Sequence, residues 1–190
     1  KAAVIHNGIA CSYAHFARRI AATREWLAGQ QLAPEAAAGF CIGNLADAWI
    51  VAMSVRSLGL RTISADDVAH LDEVRVEGLR YLFTLDAENP DVASWAERNA
   101  LVHFRVPAAL GEVTSENAAS VDDGRSDACS TGMSLPALAD AAIHPGGHVL
   151  MTSGTTGARK KIIRDAIVEA QRTPGAARVF DLTETSVVYI

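Results

Sequence analysis

The stretch "AAGFCIGNLADAWIVAMSVRSLGLRTISA", Ala37–Ala65, decides the fold. Its first part, "AAGFCIGN", is a short apolar run closed by turn residues, the pattern of a buried strand. Asn44 is placed to cap the next segment, "LADAWIVAMSVRSLG", which runs out at Gly59. That helix is apolar on most sides, so it is expected to lie deep. "LRTISA" follows as a second strand.

Working outward, "SYAHFARRIAATREWLAGQQL" carries Tyr13, Phe16, Ile20 and Leu27 at three-, four- and seven-residue steps, with Arg18, Arg19 and Arg24 mostly off that stripe. It reads as an amphipathic helix capped by Ser12 and ended near Gly29. Downstream, a charged helical segment around Asp67 to Glu77 precedes a third strand, "LRYLFTL". Asn89 and Pro90 then open a helix, "DVASWAERNA", in the cap and first-turn positions each favours, and "LVHFRV" is a fourth strand. Strands alternating with helices at this spacing indicate α/β layers, a largely parallel sheet flanked by helices.

The regularity lapses at residues 111–134, "GEVTSENAASVDDGRSDACSTGMS", poor in large apolar side chains and rich in Ser, Asp, Gly and Ala; it is expected to be a mobile surface excursion. A short helix, "SLPALADAA", and an "HPGG" turn lead into a last strong strand, "HVLMTS". The chain is thus expected to be a single α/β unit over 1–190, with strand–helix repeats over 1–110, a flexible loop over 111–134, and a third segment over 135–190.

Composition narrows the class. Hydrophobic residues make up 49% and charged residues 21% of 190 residues, with a net charge of −5, as in a globular chain that is no generic binder of nucleic acid. No apolar run approaches the roughly 18 residues that span a bilayer, and no charged leader precedes an apolar core, so a cytoplasmic protein without a membrane span is expected. Cys11, Cys41 and Cys129 are widely spaced among largely apolar neighbours and fit reduced thiols; "HPGGH" cannot put His144 and His148 on one helix face as zinc ligands, and no metal site is expected.

The chemistry concentrates in "VLMTSGTTGARKKI", Val149–Ile162. After the strand come Thr152, Ser153, Gly154, Thr155, Thr156 and Gly157, then Ala158, Arg159, Lys160 and Lys161. Glycines permit close backbone approach, so successive N–H groups can face one concavity. Hydroxyls add donors without bulk, and a lysine beyond the turn supplies a compensating charge. These are the requirements of a polyphosphate site. The pattern GxxxxGK[ST] fails, because Arg159 precedes Lys160 and Lys161 follows it, and GxGxxG fails too.

"TSGTTGARKK" resembles the signature loop of the adenylate-forming superfamily, which includes acyl-CoA synthetases, aryl-CoA ligases, luciferases and the adenylation domains of peptide synthetases. The family pattern runs Thr-Ser-Gly-Thr-Thr-Gly-x-Pro-Lys-Gly. Thr152 to Gly157 match it position for position and Lys160 falls on its lysine, while Arg159 and Lys161 replace its Pro and final Gly. The likeness extends more loosely to "SYAHFARRIAATREWL", "FCIGNLADAWIVAMSVRSLGLRTI", "LRYLFTLD" and "KIIRDAIVEAQ", the last a short strand and helix with Asp165 as cap.

The resemblance implies an AMP-forming acid–thiol ligase. A carboxylate attacks the α-phosphorus of ATP, pyrophosphate departs, and a thiol such as that of coenzyme A takes the acyl group; ATP, Mg2+ and coenzyme A are the implied ligands and a carboxylic acid the substrate. Ser153, Thr155 and Thr156 would donate hydroxyl contacts to the phosphates, Gly154 and Gly157 would allow the loop's path, and Lys160 would supply charge. The family's adenine, ribose and magnesium residues and its late lysine cannot be placed in 162–190. The chain is therefore expected to be the N-terminal segment of such an enzyme, an incomplete part of its domain, inactive alone, completed by the rest of the protein, and open to self-association through an exposed sheet edge. Two other readings stay open: a non-catalytic nucleotide- or phosphate-binding module, and an ordinary α/β domain in which the loop is only a turn. Neither the carboxylic acid nor the thiol acceptor can be read from these residues.

Overall fold

The computed structural model describes residues 2–6, 8–65, 67–74, 76–85, 90–111, 146–152, 160–181, 183 and 188–189. Their elements follow in the order β1 (Ala2–His6), β2 (Ile9–Ser12), α1 (Tyr13–Ala28), β3 (Ala37–Phe40), α2 (Leu45–Ser57), β4 (Arg61–Ser64) and α3 (Val68–Val74). Then come β5 (Leu79–Leu85), α4 (Pro90–Arg98), β6 (Val102–Val106), β7 (His148–Thr152), β8 (Lys160–Arg164), α5 (Ala166–Val179) and β9 (Val188–Tyr189). The segment 112–145, with the expected excursion and the "SLPALADAA" helix, lies outside the described residues.

Six strands form the main sheet in the order β6-β5-β3-β4-β7-β8, parallel throughout except for the antiparallel pair β7–β8. The sheet is buried on both faces, which is why its central strands read as continuous apolar runs. In β5 the alternation is visible: Tyr81, Phe83 and Leu85 join one core with Leu27 of α1 and Val51 and Val55 of α2, whereas Leu82 joins another with Leu71 of α3 and Trp95 of α4. Helices therefore cover both faces. Phe83, fully buried, stacks on Phe104 at 5.4 Å and 16°.

The predicted caps Ser12 and Asn44 are in place, while Asn89 lies outside the described residues. Ser12 Oγ accepts from the His15 amide at 3.1 Å, and Asn44 Oδ1 accepts from the amides of Ala46 and Asp47 at 2.9 and 3.2 Å. α1 and α2 are joined by Ser54 Oγ donating to the Ile20 carbonyl at 3.0 Å and by the Arg19–Asp47 ion pair at 2.7 Å.

Two expectations are corrected. Burial in α1 is concentrated in its second half, at Thr23 and Leu27, and Tyr13 in its first turn is 55% exposed. α2 buries only one side, through Ala48, Ile50, Val51, Ser54 and Val55; as a member of the outer layer it leaves Trp49 and Met53 36% and 45% exposed. A second sheet was not foreseen: β1 pairs antiparallel with β2 and parallel with β9, so the apolar run near the last residue lies beside the first strand.

Candidate functional site: a hairpin at the sheet edge

β7 and β8 form an antiparallel hairpin in the register His148↔Arg164, Val149↔Ile163, Leu150↔Ile162, Met151↔Lys161 and Thr152↔Lys160. Thr152 is the last residue of β7 and Lys160 the first of β8, so the first threonine and the lysine of the signature motif stand opposite one another, with Cα atoms about 4.5–5.5 Å apart by ladder geometry. Ser153, Gly154, Thr155, Thr156, Gly157 and Arg159 lie outside the described residues. Because β3, β4, β5 and β7 run parallel, Thr152 leaves the sheet at the edge where those strands have their carboxyl ends. In open α/β sheets that edge is where ligands bind.

The strand and helix expected after the loop are present. Asp165 caps α5 through Oδ1, which accepts from the amides of Ile167 and Val168 at 2.9 and 3.0 Å. α5 buries no residue and contains Pro174.

The base of the hairpin, at the other end of β7, is held by residues that the sequence did not single out. Arg56, in the last turn of α2, donates from Nε to the Gly146 carbonyl at 3.0 Å and from Nη2 to Glu169 Oε2 at 2.6 Å. The Gly146 amide donates back to the Arg56 carbonyl at 2.8 Å, and Glu169 Oε1 lies 3.8 Å from Arg164 Nε. Arg56 and Glu169 each read in the sequence as an ordinary helix-end charge, favourable to its dipole; nothing local links residues so far apart.

Beside this cluster, His148 Nδ1 and Thr62 Oγ1 share a hydrogen bond of 2.8 Å. Burial, and next the Arg56 guanidinium, hold the His148 pKa below the usual 6.5, against an upward pull from Glu169. Gly146 and Gly147 have a steric task. A Cβ on Gly146 would overlap the Leu60 carbonyl, and one on Gly147 would lie 2.6 Å from the Arg164 carbonyl oxygen, so both glycines are needed where β7 threads between β4 and β8. His144 lies outside the described residues. Among the described residues no three His, Cys, Asp or Glu side chains gather as a metal site, and no helix is long and apolar enough to cross a membrane.

No protein-family model matches the chain, and no curated protein does. Solved structures do. The chain is similar to O-succinylbenzoate coenzyme A synthetase (MenE) from Bacillus subtilis in complex with AMP, at 16% identity and TM-score 0.62, over 96% of this chain and 43% of that one. It is similar to ATP-bound MatB from Rhodopseudomonas palustris at 17% identity and TM-score 0.65, over 96% and 35%. The Klebsiella oxytoca NpsA N-terminal subdomain matches at 16% and TM-score 0.56, over 86% and 37%. The chain thus has the mostly parallel α/β fold found in adenylate-forming, acyl-CoA synthetase-like enzymes, and it spans less than half the length of these matched chains.

Proposed function

We propose that this chain is the ATP phosphate-gripping part of a carboxylate-activating, acyl-adenylate-forming ligase of the acyl-CoA synthetase kind. The observation that carries the proposal is the placement of the motif's first threonine and its lysine: Thr152 and Lys160 pair in a hairpin at the carboxyl edge of a parallel sheet, in a fold shared with ATP-bound MatB.

A loop of glycines and hydroxyls there suits a polyphosphate. In this reading backbone N–H groups and the hydroxyls of Ser153, Thr155 and Thr156 hold the β- and γ-phosphates, with Lys160 adding positive charge. As a carboxylate oxygen bonds to the α-phosphorus and the α–β bridging bond breaks, negative charge grows on the departing pyrophosphate. Donors fixed before the reaction stabilise that charge without reorganising. Mg2+ would arrive on the nucleotide and neutralise part of its charge. Coenzyme A would be the acceptor and the cytoplasm the setting, with the remaining machinery supplied by the rest of the protein.

Titration of the chain with MgATP tests the proposal. Thr155→Ala with Thr156→Ala should weaken binding at least tenfold, and an unchanged affinity would refute the phosphate role. Arg159 and Lys161, in place of the motif's Pro and Gly, favour a second reading, a binding module without catalysis. Carboxylate-dependent ATP–pyrophosphate exchange separates the two: it is expected only with the remaining machinery, and its absence there would favour the module.

A further inference from the structure

α3 and α4 cover the sheet on the face opposite α1 and α2, and they are bridged by the Trp95 indole N–H, which donates to Asp72 Oδ2 at 3.0 Å. Between them a cavity of about 620 Å3 opens where β5 and β6 begin. Thr152 ends β7 at the other end of the strands. The volume falls within the roughly 300–1,000 Å3 of small-molecule sites.

The lining has two parts. Leu71 and Trp95 are buried in the core of this face, and Val76, Leu79 and Leu101 pack on that core but are only partly buried, leaving apolar wall along the cavity. Asp72 and Asn99 stand at the exposed rim, and Trp95 tethers both. Its side chain takes Asp72 Oδ2, and its carbonyl accepts from Asn99 Nδ2 at 2.9 Å. Asp72 Oδ1 and Asn99 Oδ1 accept no hydrogen bond from the described residues. Among the described residues no basic side chain lines the cavity.

This combination selects among ligands by charge. An ammonium group brings donors and the opposite charge to the rim while its carbon body covers the apolar wall, which water does not do. A carboxylate of the same size would meet Asp72 with like charge and find no cation to offset it. The rim oxygens are held in place before binding, so little ordering is lost there.

We propose that this cavity binds a small primary amine with an apolar, preferably aromatic, body, its ammonium group held by Asp72 with Asn99 as a second acceptor. The assignment does not depend on the phosphate-gripping reading. The test titrates phenethylamine, protonated at about pH 7, into the whole chain. Binding is followed by nitrogen–proton NMR of the Trp95 indole, whose resonance is identified by its loss in Trp95→Phe.

The Trp95 resonance should move and saturate below about 10 mM amine, and methylamine, which has no body to cover the wall, should not saturate in that range. Hydrocinnamate, similar in size and opposite in charge, should bind at least about fivefold more weakly. Asp72→Asn keeps an oxygen acceptor for the indole and removes the charge; it should weaken phenethylamine at least about fivefold. Failure of the Trp95 resonance to saturate, saturation by methylamine, or less than about a fivefold effect of either charge change would each overturn the assignment. So would equal movement of the Trp26 and Trp49 indoles, which marks unspecific binding. If Asp72→Asn does not fold, the comparison of phenethylamine with hydrocinnamate on the wild-type chain decides.

Discussion

Gly146→Ala is expected to be among the most damaging single-methyl additions in the molecule. The new Cβ would overlap the carbonyl of Leu60 and lie 2.9 Å from the Leu60 amide nitrogen, so the obstruction is backbone on both counts and no side-chain rotation relieves it. The entry to β7 must instead retreat from β4. Three hydrogen bonds are made at that entry: Gly146 N–H to the Arg56 carbonyl at 2.8 Å, Arg56 Nε to the Gly146 carbonyl at 3.0 Å, and Thr62 N–H to the Gly147 carbonyl at 3.0 Å. At about 1 kcal/mol each, more for the guanidinium bond, their loss comes to about 3–4 kcal/mol. Urea unfolding followed by circular dichroism measures it. Gly175→Ala is the control: it lies in α5 with nothing within 4 Å of the added Cβ, and it should stabilise by about 0.5 kcal/mol through helix propensity alone. A Gly146→Ala loss below about 1 kcal/mol, or equal behaviour of the two variants, would refute the close-approach reasoning.

Other perturbations follow from the same contacts. Phe83→Ala removes a fully buried ring stacked on Phe104 and should cost about 3–5 kcal/mol in the same unfolding assay. Asp165→Ala removes the acceptor for two amides at the start of α5 and should cost about 1 kcal/mol, read as faster hydrogen exchange at Ile167 and Val168. Folding lowers the His148 pKa, so the unfolded chain takes up the proton more readily. Its contribution is whole above 6.5, falls as pH drops through 6.5, and keeps falling until the folded-state pKa is passed. His103, lowered first by burial and then by Arg105, acts in the same direction. The urea midpoint should therefore drop between pH 7.5 and 5.5, and drop less in His148→Gln.

What the sequence carried well was local. Ser12, Asn44 and Asp165 announce their helices because a cap bonds to amides two or three residues away, and β5 coincides with "LRYLFTL" because a strand buried on both faces needs a continuous apolar run. What it hid was pairing at a distance. β9 lies within "TSVVYI", which reads as an apolar β-like run, but nothing local shows that β1, at the far end of the sequence, is its partner. Arg56 and Glu169 meet across 113 positions, and each already has a local reason to be charged. Gly146 and Gly147 look like turn residues, and their steric role exists only once Leu60 and Arg164 are beside them. Tyr13 belonged to a helical apolar stripe and Trp49 to a helix apolar on most sides, but the buried sides of both helices are narrower than their apolar ones. For the site, the order of motif residues was legible, and the antiparallel return that sets Lys160 opposite Thr152 was not.

The most direct test of the central claim is phosphorus NMR of MgATP titrated with the chain and with Lys160→Ala. The account predicts that the β- and γ-phosphate resonances shift with the wild-type chain more than the α resonance does, and that the variant loses this response at equal concentration. Spectra that are the same for wild type and variant, or a response confined to the α-phosphate, would contradict it.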